Sequence, residues 1–70
     1  MTLYSINVSL LQVKEKPSSE NYGRIGLKRG TIVKSVGPSI PYKKEQWLHI
    51  ETVNEPVVRG YLQAKYVKKL

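Results

Sequence analysis

Punctuation constrains this chain more than any other feature. Gly or Pro recurs at intervals of about ten residues, and the stretches between are short and rich in β-branched and aromatic residues. Alanine appears once, at Ala64, and no segment carries a sustained 3.6-residue apolar period. Short apolar runs between turn signals predict an all-β domain rather than a helical one.

The runs can be placed individually. Tyr4, Ile6, Val8 and Leu10 alternate with polar residues, the period of a half-buried strand. The phase then slips, because Leu11 and Val13 are apolar while Gln12 and Lys14 are polar, so a bulge or break is expected near Leu10-Leu11. From Glu15 to Arg29 the chain is polar, anchored by Ile25 and Leu27. Thr31 to Val36 reads as a strand closed by Gly37-Pro38, and a second loop runs from Gly37 to Glu45. Gln46 to Val53 and Val57 to Leu62 read as strands around an Asn54-Glu55-Pro56 turn. Gln63-Ala64-Lys65 has room for one 3₁₀ turn before the closing Tyr66 to Lys69. The expected core is Leu11, Val13, Ile25, Leu27, Val33, Leu48, Ile50, Leu62 and Val67.

At 70 residues the chain is one domain, residues 1–70. A domain this short buries only roughly 60% of its unfolded surface, which leaves little room for a deep catalytic pocket. There is no cysteine, hence no disulfide and no thiolate nucleophile or ligand. No apolar run approaches the roughly 20 residues of a membrane span, and Met1 to Leu11 lacks the basic start and cleavage site of a signal peptide. Twelve Lys and Arg against five Asp and Glu give a net charge of +7. That balance fits a polyanionic partner, and it fits equally the surface lysines that keep small β proteins soluble and blunt their edge strands.

The order of parts resembles an SH3-like barrel, and the wording is closest to the bacterial SH3-like (SH3b) group. Leu11-Gln12-Val13-Lys14 with Pro17-Ser18, Ile25-Gly26-Leu27 with Gly30-Thr31-Ile32-Val33, Trp47-Leu48-His49-Ile50, and Gly60-Tyr61-Leu62 with Tyr66-Val67 match that family's short motifs in sequence. The family's Gly before Pro-Ser is Lys16 here, and its Gly-Trp is Gly60-Tyr61. The resemblance implies a small five- to six-stranded SH3-like barrel in a bacterial or phage setting, acting in cell-wall targeting. The ending also looks like that of eukaryotic SH3 domains. Gln63 stands where their groove proline sits and the first loop is basic, so recognition of Pro-rich peptides is not expected.

His49 is the only histidine, and with no cysteine it cannot build a metal site alone. It has no evident nucleophile or orienting partner, so the chain is read as a non-catalytic binding module without cofactor. Trp47 and Tyr61 fall in the phase opposite Leu48 and Leu62 and are expected on an outward face. With Tyr66, Tyr22 and Tyr42 they would line an aromatic groove, rimmed by Arg59, Lys43, Lys44 and Lys65. The expected ligand is peptidoglycan or an anionic wall polymer. The alternatives are a small basic nucleic-acid-binding protein and a module that docks on a protein partner. A wall-targeted protein would place the domain at the cell surface or outside, and a standalone chain would be cytoplasmic.

Overall fold

The computed structural model describes residues 2–17 and 25–70. In it the alternating runs form eight strands and one 3₁₀ turn: β1 (Leu3–Ile6), β2 (Leu10–Val13), β3 (Ile25–Lys28), β4 (Ile32–Ser35), β5 (Ile40–Tyr42), β6 (Glu45–Thr52), β7 (Arg59–Gln63), the turn Ala64–Tyr66 and β8 (Val67–Lys69). There is no α-helix among the described residues, and none of their elements is long and apolar enough to cross a membrane as a helix.

β6 organises the larger sheet. One edge pairs with β7, with His49 opposite Tyr61. The other edge is shared by β5, with Trp47 opposite Ile40, and β4, with Ile50 opposite Ser35. β4 pairs onward with β1, and β1 with β8, all antiparallel. β2 and β3 form a separate hairpin, with Leu11 opposite Leu27. A single bridge between Lys14 and Tyr61 ties that hairpin to β7. The sheets do not close into a barrel.

Alternation along β2, β4, β6 and β7 sends Leu11, Val13, Val33, Leu48, Ile50 and Leu62 into one core with Ile6 and Leu27. Two expected members differ. Val67 is half-buried at the edge of the cluster, and Ile25, at the start of β3, is 39% exposed.

The strand count differs from the expected five or six for three local reasons. The first addition is β3, which forms inside the Glu15 to Arg29 stretch expected as loop, as the hairpin partner of β2. The phase slip is resolved by a break at Asn7 to Ser9, earlier than expected, and not by a bulge. There the backbone turns to long-range partners: Gly30 N–H donates to Ile6 O at 2.9 Å, and Asn7 N–H to Tyr66 O at 2.9 Å. Leu10 is consequently 58% exposed while Leu11 is buried. The second addition is β5, which lies where Pro38, Pro41 and Tyr42 predict loop. It forms as the edge partner of β6, and an edge is where a strand tolerates proline.

Two residues hold the connections near β7. Thr52, buried at the end of β6, accepts from Val58 N–H at 2.8 Å and donates to Pro56 O at 3.0 Å, so the Val53 to Val58 segment is fixed against the sheet. Gly60 lies where β2 crosses β7. A Cβ there would stand 2.6 Å from Lys14 O and closer still to Val13 Cγ1. Only glycine lets the two backbones approach to form the Lys14–Tyr61 bridge, whose bonds are 3.0 and 2.8 Å.

Candidate functional site

The two-residue turn joining β5 to β6 is built from Lys43 and Lys44, with Tyr42 paired to Glu45 across its base. Both lysines have positive φ, 50° and 67°. This is the left-handed pair of a type I′ hairpin, the turn whose twist matches the flanking strands. Lys43 Nζ sits 5.5 Å from the Tyr42 ring centroid. The 3₁₀ turn after β7 brings Lys65 to the same end of β6. Its Nζ lies 5.0 Å from the Tyr66 ring centroid and 2.5 Å from Glu45 Oε1. Lys44, Glu45, Gln46, Ala64 and Lys65 line a shallow surface cavity of about 390 Å³. The bond from Lys65 holds the Glu45 carboxyl below its ordinary value. The same bond, helped by Tyr66, holds the Lys65 ammonium above its own.

A second polar cluster occupies the outward face at the far end of β6. His49 stacks on Tyr61 at 4.6 Å between centroids and 14° between planes. Next along the strands, Glu51 takes Arg59 Nε at 2.5 Å and Lys34 Nζ at 3.5 Å, a cross-strand triad over β4, β6 and β7. Arg59 first, with Lys34 adding to it, lowers the Glu51 carboxyl below its ordinary value.

These shifts set a pH dependence. Glu45 and Glu51 titrate below the ordinary 4.5, so their contribution to stability is complete above that value. It is lost as pH falls through the lowered folded values. Lys65 titrates above 10.5, so its contribution is present at neutral pH and lost as pH rises through the raised value. The thermal midpoint is expected to fall on acidification below 4.5, and Glu51→Gln should flatten that fall. Differential scanning calorimetry across roughly pH 3–6 checks it, and an unchanged slope in Glu51→Gln would assign the acid sensitivity elsewhere.

The structure divides the expected site. Tyr42, Lys43, Lys44, Lys65 and Tyr66 gather at one end of β6. Tyr61 and Arg59 belong to the other cluster. Glu45 and Glu51 stand six positions apart on one strand, about 20 Å at the usual rise, so Arg59 does not share a rim with the three lysines. Tyr66 packs partly against the core. Tyr22 lies outside the described residues.

Trp47 corrects the outward-groove expectation. It has the expected phase, opposite Leu48 and outside the main core cluster, yet it is 0% exposed. Ile40 and Gln63 stand opposite it on the flanking strands, and its indole Nε1 is buried with no hydrogen-bond partner among the described residues. A ring so enclosed offers no stacking surface, and the groove loses the aromatic expected at its centre. The two carboxylates that organise the clusters, Glu45 and Glu51, were not among the expected site residues. The odd-numbered phase they share with Trp47 and His49 was the available signal. No protein-family model matches the chain, and no curated protein or solved structure matches it either.

Proposed function

We propose that this chain is a non-catalytic SH3-like binding module of the SH3b type, and that it attaches to an anionic polymer of the bacterial cell wall. The observation that carries this reading is the convergence of Lys43, Lys44 and Lys65 at one end of β6, two of them held over the rings of Tyr42 and Tyr66. Lysines seated on tyrosine faces are restrained in position, which lowers the entropy lost when they meet an anion. The net charge of +7 supplies the long-range attraction. The SH3-like assignment is supported by the order of elements: first strands, long first excursion, β4, β6 and β7 as consecutive sheet neighbours, a 3₁₀ turn and a short last strand. A wall ligand places the domain at the cell surface.

The test is retention on purified walls before and after chemical extraction of their anionic polymer, across a salt series. Retention should drop on extracted walls and weaken steadily as salt rises, because each phosphate contact releases a counterion. Full retention on extracted walls, insensitive to salt, would overturn the reading in favour of a peptide ligand. The same excess charge favours nucleic acid as the second reading. Duplex DNA bound more tightly than wall polymer at equal salt would establish it.

A further inference from the structure

The Lys43–Lys44 turn is chemically misplaced as a turn. Type I′ hairpins need positive φ at both central residues, and the usual solution is Asn-Gly. A lysine in the left-handed region sets its Cβ against the following carbonyl, and here two do so in succession. The turn joins an edge strand to β6, is exposed at both residues, and lies beside the cavity that Lys44, Glu45 and Lys65 line. A sequence selected for folding alone would place other residues there. Strain retained at an exposed, doubly cationic tip belongs with a role for the side chains.

Building on the wall-polymer reading, we infer that the Lys43–Lys44 tip is the principal grip of this domain on its ligand, and that the ligand is a flexible phosphodiester polymer without bases. Two adjacent cations at a hairpin tip address successive phosphates of a flexible chain. The tyrosines of this end are engaged by ammonium groups, Tyr42 by Lys43 and Tyr66 by Lys65, so they orient charge instead of offering a platform for bases.

The double substitution Lys43→Asn with Lys44→Gly separates turn from grip. The probe is synthetic poly(glycerol phosphate), titrated calorimetrically at several salt concentrations, with duplex DNA as the comparison. The variant should melt about 5 °C or more above the unsubstituted chain, as a relaxed turn requires in a domain of this size. It should bind the polymer at least tenfold more weakly, with a salt slope shallower by about 1.4, near 0.7 for each lost contact to a single strand. Lys43→Gln with Lys44→Gln keeps the strain and removes the charge. It should lose the same affinity without the gain in melting temperature. Unchanged affinity and slope in both variants, with the polymer still bound, would overturn the grip and leave the wall-polymer reading standing. No binding of the polymer by the unsubstituted chain at low salt would overturn both, and tighter binding to duplex DNA would overturn the choice of ligand.

Discussion

Trp47→Ala is expected to leave the domain largely unfolded or to lower its melting temperature by roughly 15–30 °C. Removing a fully enclosed aromatic costs about 3–5 kcal/mol, through lost transfer energy and the cavity left behind. A chain of 70 residues has a total stability of only about 4–10 kcal/mol at the usual yield per residue. The substitution therefore removes at least about a third, and up to nearly all, of what holds the fold. Trp47→Phe is the informative companion. It retains most of the apolar ring and removes an indole N–H buried without a partner among the described residues, a burden of about 1–3 kcal/mol. Its melting temperature should lie close to that of the unsubstituted chain. Thermal unfolding followed by circular dichroism tests both. A Trp47→Ala variant melting within a few degrees of the parent would show that the indole is not part of what the fold depends on.

Gly60→Ala is expected to have the next largest effect, at or beyond the upper end of the about 1–3 kcal/mol that overpacking costs. The added methyl would meet Val13, itself completely buried, and the backbone carbonyl of Lys14 just after β2, neither of which can swing aside. The cheapest relief is to part β2 from β7, which gives up both hydrogen bonds of the Lys14–Tyr61 bridge. Gly26→Ala is the control. Its methyl would come within 2.9 Å of Leu10 Cδ1, the end of an exposed side chain that is free to rotate away. Urea denaturation of the two variants should separate them clearly. Equal midpoints would mean that the crossing of β2 over β7 is looser than these distances imply.

The sequence made some of this structure legible and hid the rest, for identifiable reasons. Alternation located Leu11, Val13, Leu48, Ile50 and Leu62 in the core because a period of two assigns faces directly. The same period could not tell that the face opposite Leu48 is covered at Trp47 and open at Arg59. Whether a sheet face meets solvent depends on what the rest of the chain lays over it. The break after Ile6 was misplaced because its backbone partners, Gly30 and Tyr66, lie far along the chain. The lysine turn was invisible to turn chemistry, having neither glycine nor asparagine at its centre. Only the two-residue gap between Tyr42 and Glu45 could have shown it. The lysines themselves were legible as a charged pair, whereas the ion pairs with Glu45 and Glu51 depend on register and needed the assembled sheet.

The pairing of β1 with β8 has a consequence for biosynthesis. Tyr4 lies opposite Lys69, and Leu70 N–H donates to Leu3 O at 2.9 Å, so the first strand made finds one of its two neighbours only when the last strand is made. At about 5–20 residues per second of translation, the interval between the two is several seconds. Through that time one edge of β1 stays unpaired, its backbone donors and acceptors open to any other extended segment. Strand β8 therefore acts as a latch. The nascent domain can collapse around β6 beforehand, but the free edge of β1 is covered only after Val67–Lys69 has left the ribosome, and the short β8 then becomes the outer strand on that side.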